Sequence, residues 1–208
     1  MIILGLTGSI GMGKTVAAQN FCRLGIPVHD ADQAVHDLMA PGGRAFDKII
    51  GQFPETFEDG KINRTRLGDR VFSSPQELSC LEAILHPLVR QHKLKFLGNA
   101  ARRRCPLVVL DVPLLFETGG DRQCDGVVSV SAPDFVQRAR VLSRPGMTDQ
   151  KFAAILAKQL PDREKCRRSD FVVQTGGGRL ESFISIRKII EETRTWRGRH
   201  WPPRSTQI

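Results

Sequence analysis

Gly5-Leu6-Thr7-Gly8-Ser9-Ile10-Gly11-Met12-Gly13-Lys14-Thr15 follows the apolar run Ile2-Ile3-Leu4 and leads into the helix-like Val16-Ala17-Ala18-Gln19-Asn20-Phe21. Gly8, Gly13, Lys14 and Thr15 satisfy G-x-x-x-x-G-K-[ST], the spacing of a phosphate-binding loop. Glycines let successive backbone N–H groups curl around phosphate oxygens, and the start of the following helix adds partial positive charge. Lys14 is placed to reach β- and γ-phosphates, and the Thr15 hydroxyl suits Mg²⁺, a hard cation that takes oxygen ligands. The competing reading is a tight strand-to-helix turn that uses glycine only for backbone freedom. The strand, loop and helix context favours the phosphate loop.

The 208 residues have room for one sizeable core with an inserted subdomain. No apolar run approaches the roughly 20 residues that span a bilayer. Ile2-Ile3-Leu4 is too short for a signal-peptide core and lacks a basic flank. A soluble, cytoplasmic protein is the expectation. Cys22, Cys80, Cys105, Cys124 and Cys166 are scattered without C-x-x-C spacing, which argues against a disulfide framework or a zinc site. With 31 Lys and Arg against 22 Asp and Glu, the formal charge is +9, which points to an anionic partner, either a polyphosphate or nucleic acid. The excess gathers at Arg102-Arg103-Arg104, at Lys165 to Arg168, and in a tail with Arg194, Arg197, Arg199 and Arg204. Solvated helix ends and a basic tail are the simpler account of these clusters.

Beyond the loop, Ala17, Phe21 and Leu24 recur at helical spacing and Gly25 ends the helix. Ile26-Pro27-Val28 begins a second strand that delivers His29-Asp30-Ala31-Asp32 at its carboxyl end, the edge where open parallel sheets bind ligands. Asp32 is either the base for an attacking hydroxyl or the N-cap of the next helix. From Pro41 to Arg104 the pattern is mostly helical, with helices expected over Asn63 to Phe72 and Pro75 to Ala101 and a buried stripe of Leu78, Leu81, Leu85 and Leu88. His86-Pro87 is expected to interrupt the second of these. Such an insertion suits a cover that recognises an acceptor.

Pro106-Leu107-Val108-Val109-Leu110 reads as a buried strand ending at Asp111, which is either an Mg²⁺ ligand or a turn cap. Val127 to Val130 and Phe171 to Val173 supply a fourth and a fifth strand, so the sheet is parallel and doubly wound. Between them lie a helix with Arg138, Arg140 and Arg144, a break at Pro145-Gly146-Met147-Thr148, and a helix from Phe152 to Leu160, together a lid. Arg140 and Arg144, four apart, would share a face, gripping phosphate or stacking on a base, or merely facing solvent. Leu180, Phe183, Ile186 and Ile190 mark a last helix on the sheet, and Trp196 to Ile208 reads as a loose tail.

Taken together, Gly5 to Thr15, Asp30-Ala31-Asp32, His86-Pro87-Leu88-Val89 and Asp111-Val112-Pro113-Leu114-Leu115-Phe116-Glu117 resemble the dephospho-coenzyme A kinase family. The lid is also similar, through Arg140-Val141-Leu142-Ser143-Arg144, Gln159 and Ser169-Asp170-Phe171-Val172-Val173. The resemblance implies an α/β P-loop kinase fold, a three-layer core with a five-stranded parallel sheet. The core would comprise residues 1–32 and 104–195, with a helical acceptor-binding domain at 33–103, a lid at 133–160 and a basic tail at 196–208. It implies phosphoryl transfer from ATP, with Mg²⁺, to the ribose 3′-hydroxyl of dephospho-CoA. Gly8, Gly11, Met12, Gly13, Lys14, Thr15 and Val16 would then hold ATP, and Asp32 would act as base beside Lys14, Arg140 and Arg144. His86, Pro113, Leu114 and Glu117 match motifs near the acceptor, and Thr15 and Asp111 would serve the metal.

Three positions depart from the family pattern: Met12 stands where a small residue is common, Val16 where a hydroxyl is usual, and Pro145 where an acid is common. Thr15 still supplies the hydroxyl. Two other functions compete, a small-molecule kinase acting on a nucleoside or nucleotide and a basic nucleic-acid-stimulated ATPase or nucleotide switch. Aromatic content of 6%, the absence of Tyr and the lack of a nucleic-acid module weigh against the last. Neither a membrane nor an obligatory protein partner is expected.

Overall fold

The computed structural model describes residues 1–202. In chain order the elements are β1 (Ile2–Thr7), α1 (Lys14–Arg23), β2 (Val28–Asp30), α2 (Ala31–Met39), α3 (Phe46–Gln52), β3 (Phe57–Glu58), β4 (Lys61–Ile62), α4 (Arg64–Ser73) and α5 (Pro75–Arg102). They continue with β5 (Leu107–Asp111), β6 (Gly126–Ser131), α6 (Asp134–Leu142), α7 (Asp149–Ala157), α8 (Asp162–Arg168), β7 (Phe171–Gln174) and α9 (Arg179–Thr193). Two compact units result: Met1–His29 with the chain from Ala100 onward, and Asp30–Asn99.

The first unit is built on a five-stranded parallel sheet in the order β2-β5-β1-β6-β7. Every residue of β1, β5 and β6 is buried, as central parallel strands covered on both faces require. Alternate residues Ile2, Leu4 and Leu6, with Val109, Val128 and Val130, pack against Ala17 and Phe21 of α1 and Ile186 and Ile189 of α9. The register pairs Leu6 with Asp111, so the β5 carboxylate comes level with the end of β1, where the glycine loop begins.

α9 buries Ser182, Ile186, Ile189 and Thr193, whereas Leu180, expected on the sheet, is 71% exposed. A buried hydrogen bond from Asn20 Nδ2 to Ser182 Oγ (3.3 Å) fixes this rotation against α1. Nor does the tail hang loose from Trp196. Its indole stacks on Phe171, with centroids 5.5 Å apart, and the Asp125 carboxylate accepts both the Ile3 and the Arg199 N–H. Arg204 and the remainder of the basic tail, 203–208, lie outside the described residues.

The second unit has its own core, in which Leu38, Ile49, Phe53, Ile62, Leu67, Leu81 and Leu88 are buried. Asn63 caps α4 by accepting the Arg66 N–H at 3.1 Å. α5 runs 28 residues straight through Pro87, so the expected interruption does not occur. Pro87 and Ala83, the residue whose carbonyl loses its donor, are both exposed, and water can take up that carbonyl while the ladder holds on either side.

Candidate active site

The loop between β1 and α1 is held from outside. Gly11 and Gly13 have φ of 79° and 90°, the left-handed region in which a side chain is strained. Gln159 Oε1 accepts the Ile10 N–H at 3.1 Å, and Gln137 Nε2 donates to the Ile10 carbonyl at 2.7 Å. Thr175 Oγ1 donates to the Met12 carbonyl at 2.6 Å. With the Ile10 carbonyl satisfied from α6 and the Met12 carbonyl from the residue after β7, the loop need not turn them inward, and the N–H groups other than that of Ile10, which Gln159 takes, can line an anion site. The bulky Met12 is 1% exposed and its sulfur accepts the Ala132 N–H at 3.2 Å, so the thioether anchors the loop in the core.

Lys14 opens α1, and its Nζ lies 2.6 Å from Asp111 Oδ1; the two side chains are 17% and 3% exposed. Thr15 follows on the exposed side and Val16 is half-buried. The strand tip at Asp111 and the loop lysine therefore meet in an ion pair.

Past Asp111 the chain is tied to both the loop and α8. The Pro113 carbonyl accepts from Thr7 Oγ1 at 2.9 Å and from Lys165 Nζ at 3.3 Å. Glu117 Oε1 lies 2.9 Å from the same Nζ and accepts the Leu160 N–H at 2.8 Å. Burial alone would raise the Glu117 pKa, but the Lys165 hydrogen bond and the Leu160 N–H outweigh it and hold the carboxyl below its ordinary value. Leu114 is exposed and Pro113 half-buried.

Lys165 itself is 0% exposed, which corrects the reading of residues 165 to 168 as a solvated cluster. Arg167 and Arg168 are on the surface, where their hydrogen bonds hold the Glu164 carboxyl at about 2. The available signal for Lys165 was its spacing from Asp162 and Ser169 in a helix opened by Pro161: three and four residues place all three on one face, which here turns inward.

α6 brings Arg140 onto the loop. Its guanidinium donates to the Gly11 carbonyl at 3.4 Å, to Thr175 Oγ1 at 3.1 Å and to the Thr175 carbonyl at 2.7 Å. Arg144 lies beyond the last residue of α6 and is exposed, so the two arginines do not share a helical face as their spacing suggested. Arg138 and Asp149 pair at 2.6 Å on the surface of α6 and α7. A cavity of about 440 Å³ opens beside the loop, lined by Ser9, Gln137, Phe152, Leu156, Gln159 and Asp162 among others.

Asp32 and His86 belong to the Asp30–Asn99 unit. The α2 cap is Asp30, whose Oδ1 accepts the Gln33 N–H at 3.0 Å. Asp32 is one position inside the helix and exposed, which removes capping as its role. His86 is exposed on α5.

The sequence matches the family model described as dephospho-CoA kinase over residues 2–181. A protein of Mesorhizobium japonicum named dephospho-CoA kinase is 50% identical over 198 residues, covering 95% of this chain and 100% of that one. Another so named, from Paramagnetospirillum magneticum, is 57% identical over 165 residues, 79% of this chain and 78% of its own. Among solved structures, a Thermus thermophilus protein superposes with a TM-score of 0.81 at 33% identity, covering 94% of this chain and 98% of that one. The dephospho-CoA kinase of Campylobacter jejuni gives a TM-score of 0.68 at 23% identity over 92% of this chain and 96% of that one, a likeness of fold.

Proposed function

Because the chain belongs to the dephospho-CoA kinase family, we propose that it transfers the γ-phosphoryl group of ATP to the ribose 3′-hydroxyl of dephospho-CoA, completing coenzyme A. The observation that carries this reading within the molecule is the glycine loop with Lys14 poised on Asp111 at its mouth. The loop residues Gly8, Gly11, Met12 and Gly13, with Lys14, Thr15 and Val16, bind the phosphates, and Lys14 turns from Asp111 to the β- and γ-oxygens as they arrive. Bound Mg²⁺ would neutralise phosphate charge. The Thr15 hydroxyl and the Asp111 carboxylate are the oxygen donors that fit it, since this ion keeps several waters and needs few protein ligands.

His86, Pro113 and Leu114 are the residues we assign to recognition of the acceptor. Asp32 takes the proton of the 3′-hydroxyl as its oxygen bonds to the γ-phosphorus and the bond to the β-phosphate oxygen breaks, leaving ADP and coenzyme A. Arg140, and Arg144 on lid closure, stabilise charge on the transferring group and exclude the water that would hydrolyse ATP. Among the described residues no helix is long and apolar enough to cross a membrane, and we place the reaction in the cytoplasm.

The test is a coupled ADP-release assay of the purified protein with Mg·ATP and dephospho-CoA, expected to show acceptor-dependent turnover and a coenzyme A product. Phosphorylation of nucleosides or monophosphates with dephospho-CoA inert, or hydrolysis stimulated only by DNA or RNA, would reject it.

A further inference from the structure

Lys165 takes no part in the transfer just described, yet its side chain is 0% exposed. Removing an ammonium from water costs several kcal/mol, and an apolar side chain of similar volume would fill the space without that cost. What the charge does here is connect. Its Nζ reaches Glu117 Oε1 at 2.9 Å and the Pro113 carbonyl at 3.3 Å. Glu117 Oε1 in turn accepts the Leu160 N–H at 2.8 Å, and the Pro113 carbonyl accepts from Thr7 Oγ1 at 2.9 Å. Each end of this network stops one residue short of the phosphate machinery. Leu160 follows Gln159, whose side chain holds the Ile10 N–H, and Thr7 precedes Gly8. Pro113 lies just past Asp111, the partner of Lys14.

We propose that Lys165 and Glu117 form one positioning unit for phosphoryl transfer: the buried ammonium and its partly exposed carboxylate fix the Leu160 backbone and the Pro113 carbonyl, and so hold Gln159 on the phosphate loop and Asp111 opposite Lys14. Glu117 then acts from behind the site and does not touch the acceptor. The inference rests on the kinase reading for what is being positioned, while the network itself belongs to the nucleotide loop and can be read there.

The experiment compares wild type with Lys165→Met, Glu117→Gln, Glu117→Asp and the double variant Lys165→Met/Glu117→Gln. It measures Tm, ADP affinity by calorimetry, kcat, and KM for dephospho-CoA. Lys165→Met takes the charged partner from the Glu117 carboxylate and a donor from the Pro113 carbonyl and should melt lower, and the uncharged double variant should recover much of that loss. Its kcat should nonetheless stay about tenfold or more below wild type, since small misplacements of reacting groups carry such penalties. KM for dephospho-CoA should remain within about threefold, as expected when no ground-state contact to the acceptor is lost. ADP affinity should fall about fivefold or more with the loosened loop. Glu117→Asp keeps the charge but shortens the reach, and should lower kcat and ADP affinity even if Lys165→Met fails to fold.

Recovery of kcat and ADP affinity along with Tm in the double variant would show the pair to be merely structural and overturn the proposal. A raised KM for dephospho-CoA with kcat and ADP affinity unchanged in the Glu117 variants would overturn it in favour of an acceptor contact. A wild type inert toward dephospho-CoA would reject the kinase reading alone, and the ADP affinities of the variants would still decide the positioning role.

Discussion

Gly11→Ala should damage both stability and nucleotide binding, and the size of the effect follows from two separate costs. At φ 79° an L-residue pays about 1 kcal/mol for the left-handed backbone. The new Cβ would stand 2.6 Å from Val141 Cγ2 and 3.0 Å from the Gln137 carbonyl oxygen. Backbone on α6 cannot be rotated away like a flexible side chain, so relief requires α6 to move, an overpacking cost of about 1–3 kcal/mol. With a total near 3 kcal/mol and about 2–4 °C per kcal/mol for a chain of this size, Tm should fall by about 6–12 °C. Moving α6 also withdraws Gln137 from the Ile10 carbonyl and Arg140 from the Gly11 carbonyl, so ADP affinity should fall about tenfold for each 1.4 kcal/mol of loop order lost. Gly98→Ala is the matched control. It lies in the body of α5, where apart from its own helix backbone no heavy atom comes within 4 Å of the position its new methyl would take, so the same substitution should stabilise by about 0.5–1 kcal/mol. Calorimetric melting and ADP titration of the three proteins check both signs. A Gly11→Ala protein with the melting temperature and ADP affinity of wild type would refute the reasoning that α6 packs on the loop at this point.

Asp32→Asn should lower turnover by about a hundredfold or more while leaving KM for ATP nearly unchanged, because a base is lost without a phosphate ligand. Steady-state kinetics with both substrates varied will show this, and wild-type turnover would remove Asp32 from the chemistry. Thr175→Val keeps shape but deletes the donor to the buried Met12 carbonyl and the acceptor for Arg140, and should cost about 1–3 kcal/mol in urea unfolding. The Glu117 carboxyl titrates below its ordinary value of 4.5 in the folded protein, so its ionised form stabilises the fold above that value and the contribution fades as pH falls through the folded pKa. The Tm advantage of wild type over Glu117→Gln should accordingly be full at pH 7 and shrink below about pH 4.5. An advantage unchanged down to pH 3 would contradict that account.

What could be read from the sequence was what short stretches determine by themselves. Ile2 to Leu4, Leu107 to Leu110 and Val127 to Val130 are apolar enough to be central strands whatever surrounds them, and a strand tip before a polar residue places Asp111 beside the loop. What could not be read depends on partners far off in the chain. The face that α9 buries is chosen by Asn20 on α1, not by the apolar count of α9, and so Leu180 is left in water. Pro87 is harmless because its neighbour Ala83 happens to face solvent. Lys165 sits among arginines that are exposed, and only Glu117 and the Pro113 carbonyl make its burial tolerable. Asp32, read as a possible cap, lies within α2, and it is Asp30 that takes the extended conformation just before the helix.

A pair of lysine–carboxylate contacts in the first unit, at Lys14 and at Lys165, shows how one chemistry serves two purposes. Lys14 to Asp111 and Lys165 to Glu117 measure 2.6 and 2.9 Å, but their lysine side chains are 17% and 0% exposed. A phosphate entering the loop can compete for Lys14, because water and ligand reach its ammonium and a second strong acceptor replaces the one it leaves. Nothing from solvent can reach Lys165, so leaving its partner would strand a charge in the interior at several kcal/mol. The first pair can therefore hold a reacting cation in place until the substrate arrives. The second cannot exchange partners, and that is the property required of a group that sets where Asp111 and Gln159 stand.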